Sequence, residues 1–160
     1  MSDLSKHRPR VFVHVPDGTE FEKRDALSLL ATLVAGEALS EPYVGKLAVA
    51  WVVRNRVENP NNAWFGAGWH GVMLKKWQFS CFNANDPVCP KLVNVTKWAG
   101  VRDWYECYKA AAAAFFDFEN DPTSGADHYH TTSVAPYWAA DEKPVVQIGA
   151  HLFYRLSEDY

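Results

Sequence analysis

Two glutamates, Glu37 and Glu41, stand four residues apart within ALSLLATLVAGEALSEPYVGKLAVAWVVRNRV, residues 26–57, and their surroundings suit them to different chemistry. Leu29, Leu30, Leu33 and Val34 recur at helical spacing. Glu37 follows Leu33 by four residues and Leu30 by seven, which sets it on or near the same apolar face. A carboxyl group there loses hydration, which disfavours its charge and keeps a proton available for donation near neutral pH. Glu37 is therefore the candidate general acid. Gly36 and Pro42 bracket a corner: glycine lets another segment or a ligand approach the backbone, and proline suits the start of a second helix. Glu41 then lies at that helix's N-terminus, where the dipole and free amides favour a negative charge. Two carboxyl groups pushed toward opposite protonation states are a recurring mark of acid–base chemistry on sugars. Glutamates at helix ends are more commonly solvated or capping groups, so spacing alone leaves the role of Glu37 open and favours a structural one for Glu41.

Other chemistries compete. Asp127, His128 and His130, with His151 further on, invite a metal reading, because strand alternation places His128 and His130 on one face and Glu37 completes a set. The spacing is loose and no HExxH is present, so a zinc site is the weaker alternative. Cys81, Cys89 and Cys107 are odd in number and lack the short paired spacing of zinc ligands. Buried free thiols suit them better than a Cys81–Cys89 disulfide. No nucleophile-elbow pattern marks a serine. Asn55 shares the apolar face of the second helix, so its amide must find either backbone, the favoured reading, or a substrate hydroxyl.

These groups need elements to position them. The first helix runs from about Asp25 to Ala38 and the second from Pro42 to Val57, apolar nearly all round as far as Val53 and hence central. Residues 59–70 form a turn-rich loop with Trp64 and Trp69, followed by a short helical segment to Lys75, and residues 83–96 are irregular. A long helix spans about Thr96 to Asp117 with an alanine run for close packing. Ala126–Thr132 and Val145–Tyr154 read as strands, separated by a loop carrying Tyr137 and Trp138. Upstream, VFVHV (residues 11–15) suggests a short edge strand, and Thr19 with Glu22 has capping-box spacing.

With 160 residues, the chain fits one domain, an N-terminal arm (1–20) followed by a domain over 21–160. A formal net charge of −3 and no basic run beyond Lys75-Lys76 argue against a nucleic-acid partner. No window approaches a membrane span and no secretory h-region is visible, so the expectation is a cytoplasmic protein at synthesis without membrane insertion. Seven tryptophans, seven tyrosines and nine phenylalanines, several in polar loops, supply faces of the kind that stack on sugar rings, although most such residues are core. A non-catalytic sugar-binding module fits the aromatic loops but gives the carboxyl at position 37 no purpose.

AGEALSEPYVGKLAVAWVVRNRV resembles the signature of the SleB/CwlJ-like cell-wall hydrolase family, the spore-cortex-lytic enzymes: glutamate, short gap, glutamate-proline, glycine, then an apolar helix ending in asparagine-arginine-valine. The similarity continues through Trp77-Gln78-Phe79-Ser80, then Asp121-Pro122-Thr123-Ser124-Gly125-Ala126 with Tyr129 and His130, and finally Ile148-Gly149-Ala150-His151-Leu152-Phe153-Tyr154. The resemblance implies an α+β, mainly helical, lysozyme-like or lytic-transglycosylase-like single domain with a small β element in the C-terminal third. It carries the family's catalytic glutamate onto Glu37, with no cofactor and no metal. It also implies a monomeric enzyme cutting peptidoglycan glycan strands between N-acetylmuramic acid and N-acetylglucosamine. Asn55, Ser80, Tyr129, His130 and Trp138 are the expected groove contacts, and Glu41 the secondary carboxylate. A short catalytic domain of this kind suits a phage endolysin released through a holin; the alternatives are a zinc-dependent N-acetylmuramoyl-L-alanine amidase and the sugar-binding module.

Overall fold

Helices α1 (Ala26–Ala38) and α2 (Tyr43–Val57) form the expected pair around the two glutamates in the computed structural model, which describes residues 12–157. Asp25 caps α1: its carboxylate accepts the Ser28 amide at 2.9 Å and the Ser28 hydroxyl at 2.6 Å. That satisfies a donor which the first helical turn leaves without an internal partner. Leu29, Leu30, Leu33 and Val34 are wholly buried, as their spacing predicts, and α2 is buried along Gly45–Val53.

Five helices follow: α3 (Asn62–Phe65), α4 (Gly68–Met73), α5 (Cys89–Leu92), α6 (Val95–Ala99) and α7 (Val101–Phe115). The single long helix expected over 96–117 is thus two, broken at Gly100, whose φ of +88° is open to glycine and strained for other residues. Beyond the break, the alanine run Ala110–Ala114 is buried where α7 packs on both α1 and α2, since small side chains let the helices come close. α2 is central as its composition requires.

The β element has three strands, β1 (His128–Thr131), β2 (Val146–Ile148) and β3 (His151–Tyr154), antiparallel in the order β1-β3-β2. The expected strand over 145–154 is a hairpin turning at Gly149, where φ is +55°. Tyr129 pairs with Phe153 and Thr131 with His151, so these four share one face of the sheet.

Near the N-terminus two expectations fail. Val11 and the residues before it lie outside the described residues, while 12–15 join no sheet; the His14 carbonyl instead accepts Trp104 Nε1 at 2.9 Å. Thr19 does not cap a helix, because the 3-10 turn Phe21–Lys23 follows Glu20 and the Thr19 carbonyl is taken by Arg24 Nε at 2.9 Å. The other two guanidinium nitrogens of Arg24 bind Thr32 Oγ1 and the Val93 carbonyl, so this segment is fixed by a buried arginine rather than by a cap.

At the other end, buried Asp127 accepts His128 Nδ1 at 2.8 Å and the amides of Leu156 and Ser157 at 2.9 Å. Burial opposes its charge, but the imidazole and the two amides prevail and hold its carboxyl below the ordinary aspartate range. At Asp25 the Ser28 hydroxyl and amide likewise outweigh burial. The folded state therefore binds these two protons less readily than the unfolded chain does. The resulting stability is fully present above about pH 4 and is lost as pH falls through the lowered folded values. Acid unfolding followed by circular dichroism should show that limb, and Asp127→Asn should flatten it while lowering stability at neutral pH.

Candidate active site

Glu37 occupies the next-to-last position of α1, half-buried, and its Oε1 accepts the Cys81 backbone amide at 3.2 Å. That amide comes from the 3-10 turn Ser80–Phe82, which lies so close to α1 that a Cβ on Gly36 would stand 2.6 Å from Cys81 Cβ. The glycine beside the glutamate is what admits the turn. Glu37 lies at the edge of the apolar face, as its spacing predicts, and opens into a cleft of about 290 Å³ whose lining includes Arg56, Ser80, Tyr129 and His130.

Three of the expected contacts thus converge on Glu37. Tyr129 brings a buried hydroxyl without a hydrogen-bond partner, and burial, then the nearby Glu37 charge, push its proton affinity well above the usual phenol. His130 is fixed at both nitrogens, Nδ1 to the Thr131 carbonyl at 2.7 Å and Nε2 to Tyr154 Oη at 2.8 Å, so it offers the cleft a ring rather than a free nitrogen. Ser80 is exposed on the rim.

Asn55 does not line this cleft. Its Nδ2 donates to Asp121 Oδ2 and to the Ala126 carbonyl, each at 2.9 Å, tethering the Asp121–Ala126 turn to α2, which is the backbone role favoured from sequence. It faces a separate depression with Gly125, Asp127 and Arg155.

Glu41 also works differently from the expectation. Its carboxylate does not serve the start of its own helix, where Pro42 is the cap residue, but reaches the β2–β3 turn: Oε1 accepts the Ala150 amide at 3.1 Å and lies 3.2 Å from His151 Nδ1. Lys46 Nζ donates to the Glu41 carbonyl and holds the corner. A Cβ on Gly149 would stand 2.0 Å from Glu41 Oε2, so glycine at this turn serves both the contact and the positive φ. Gly149→Ala should release Glu41 from the turn and lower thermal stability by roughly 1–3 kcal/mol, read by thermal denaturation. His151 is buried, and burial holds its imidazole below the ordinary histidine range although Glu41 and Glu37 pull the other way.

The Glu37 cleft runs on into a cavity of about 650 Å³, the two sharing Arg56, Trp77, Gln78 and Tyr129. Trp138 lines this second cavity, packed edge-on against His130 and Tyr154 at ring separations of 5.6 and 5.2 Å. Its rim carries exposed aromatics, Trp64 at 60 %, Trp77 at 62 % and Tyr137 at 92 % exposure, as the aromatic-rich loops suggest. Arg56 and Gln78 were not named among the groove contacts; the signal for Arg56 was the abrupt polar exit of an otherwise apolar helix, and for Gln78 its place in the Trp77-Gln78-Phe79-Ser80 motif. Arg56 is buried between Phe65 and Phe79, 5.0 and 4.9 Å from their centroids, with Nε on the Asp127 carbonyl at 2.7 Å.

Trp77 holds a φ of +68°, an unusual conformation for a bulky residue and one that persists only where its surroundings enforce it. Trp77→Gly should relieve that strain, leaving stability equal or higher, while removing an aromatic face from the groove. The measurement is paired: thermal denaturation unchanged or raised, with KM for the substrate of the groove raised.

The zinc alternative lacks a donor set. His128 Nδ1 is committed to Asp127 and both nitrogens of His130 are engaged; among the described residues no three His, Cys, Asp or Glu side chains converge as a metal would require.

The family model described as Cell Wall Hydrolase matches residues 40–154, beginning three residues past Glu37 and including Glu41. A spore cortex-lytic enzyme of Oceanobacillus iheyensis is 32% identical over 144 residues, covering 88% of this chain and 44% of the relative. One from Halalkalibacterium halodurans is 30% identical over 130 residues, covering 79% and 34%. The chain thus spans less than half the length of these curated relatives. Among solved structures, the catalytic domain of the Bacillus cereus SleB protein superposes with a TM-score of 0.61 at 26% identity, covering 91% of this chain and 98% of that one. The catalytic domain of the germination-specific lytic transglycosylase SleB from Bacillus anthracis gives 0.63 at 26% identity, covering 87% and 98%. The mainly helical architecture with its small sheet is the lysozyme-like one expected. Shared fold, ordered motifs and a family match over well over half the chain agree: this protein belongs to the SleB/CwlJ-like family of cell wall hydrolases.

Proposed function

We propose that this enzyme cleaves the glycan strands of peptidoglycan between N-acetylmuramic acid and N-acetylglucosamine as a lytic transglycosylase, with Glu37 as general acid and base. The observation that carries the reading is the placement of Glu37 in a cleft that it shares with Ser80, Tyr129 and His130. Neutral Glu37 donates its proton to the glycosidic oxygen as that bond breaks and positive charge develops on the muramic ring. The carboxylate left behind takes the proton of the same ring's 6-hydroxyl as its oxygen bonds to the anomeric carbon. A 1,6-anhydro end results and Glu37 is neutral again. Plain hydrolysis by an inverting route needs a second carboxylate about 6.5–9.5 Å away. Among the described residues Glu37 is the only carboxylate lining the cleft, and Glu41 is committed to Ala150 and His151, which favours transglycosylation.

The setting we assign is that of a bacteriolytic endolysin of a bacteriophage, monomeric, cytoplasmic at synthesis and admitted to the wall by holin-type release; what supports it is that one chain supplies the whole lining of the Glu37 cleft. Mass spectrometry of products from purified sacculi tests the chemistry. Anhydromuramic ends are expected; reducing ends mean a muramidase, and free stem peptides alone mean an amidase. Expression with and without a holin tests the setting, lysis being expected only with one.

A further inference from the structure

We propose that the 650 Å³ cavity beside the Glu37 cleft receives the carboxylate-bearing peptide stem of the substrate, so that the enzyme prefers muramic residues still carrying their stems. The inference rests on the glycan-cleaving reading above and extends it to what the substrate carries.

The first argument is charge. The chain as a whole has an excess of acids, 19 against 16 lysines and arginines, yet the charged side chains lining this cavity among the described residues are Arg56 and Lys75, with no carboxylate. Lys76 adds a further cation at the rim, its Nζ 5.3 Å from the Trp77 ring centroid. The sugar backbone of a peptidoglycan strand is built of neutral N-acetylated rings; its negative charge resides in the carboxylates of the stems. Indoles alone would serve a neutral sugar, but two cationic side chains with no acid beside them fit an anionic substituent.

The second argument is placement. The stem leaves the muramic ring through its lactyl ether, on the same ring whose anomeric bond is broken. A group held there must therefore lie beside the cleft rather than along the strand, and the cavity shares Arg56, Trp77, Gln78 and Tyr129 with that cleft. Lys75 is anchored through its bond to the Trp64 carbonyl, so its charge is presented from a fixed base rather than a free tether. Trp77, held in its left-handed backbone conformation at the boundary, offers an apolar face to the small side chains of a stem peptide.

The test uses the full chain and two forms of one substrate: glycan strands bearing stems, and the same strands after an amidase has removed the stems and the lactyl carboxylates it leaves have been converted to neutral methylamides, so that the stems alone carry the negative charge. Wild-type kcat/KM should be roughly tenfold or more higher on stem-bearing strands, the size of one charge-assisted hydrogen bond. Raised salt should narrow the difference. Lys75→Glu should bring the ratio of the two rates close to one, and Lys75→Arg should keep it; thermal melts establish that both variants fold. Equal rates on the two substrates in the wild type, or an undiminished ratio in folded Lys75→Glu, overturn the inference while leaving glycan cleavage standing. Failure of the wild type to cut either strand overturns the glycan-cleaving reading and this inference with it.

Discussion

Glu37→Gln is expected to lower product release from purified sacculi by roughly 10²- to 10⁴-fold, the contribution typical of a positioned general acid. The amide keeps the size of the side chain and can still accept the Cys81 amide through its oxygen, so the turn at Ser80–Phe82 should stay in place. What it lacks is the proton to donate and the carboxylate to take one back. Because the groove beyond is untouched, KM should change little while kcat collapses, which separates lost chemistry from lost binding. A variant with undiminished turnover would remove Glu37 from the mechanism and return attention to Glu41, the carboxylate that the family match includes. A binding module without activity would show no turnover in either form.

Gly36→Ala is the substitution expected to do most damage without touching a titratable group. The added Cβ would meet Cys81 Cβ at 2.6 Å and Leu92 Cδ1 at 2.9 Å. Cys81 Cβ is fixed to its backbone and cannot swing aside, so the turn itself must shift, and with it the amide that Glu37 accepts. Overpacking of this kind costs about 1–3 kcal/mol, and activity should fall further than stability because the displaced segment carries Ser80 and the wall of the cleft. Cys81→Ala should not rescue it, since alanine keeps the colliding atom; Cys81→Gly should restore part of the activity. Thermal melts and sacculus clearing on the single and double variants check both statements.

The parts of this fold legible in sequence are those fixed by periodicity over many residues. The α1 and α2 pair follows from leucine and valine spacing, and the corner between them from Pro42. What was not legible turns on single backbone positions. Gly100 splits one expected helix into two and Gly149 one expected strand into a hairpin, because a positive φ at one residue redirects the chain without altering the surrounding pattern. The site divides in the same way. Glu37, Ser80, Tyr129 and His130 come together as their motifs implied. Asn55 takes the backbone tether that its place on an apolar face favours, whereas Glu41 is drawn off by a partner 109 residues away, which local spacing cannot reveal. Arg56 was hidden by its type: a buried arginine sandwiched between two rings looks in sequence like any surface cation at a helix end.

The three cysteines are free, and they differ in reach: Cys81 and Cys107 are buried, while Cys89 is partly open to solvent. Burial holds the Cys107 thiol up to about 12 and Cys81 well above the ordinary value, so neither supplies thiolate while the helices remain packed. An alkylating reagent should therefore label one site per native molecule and three once the chain is unfolded. The chain carries its own reporter of opening: counting labels against denaturant would resolve how α1 and α7 separate, with Cys89 labelled from the start and Cys81 and Cys107 only as their packing is lost.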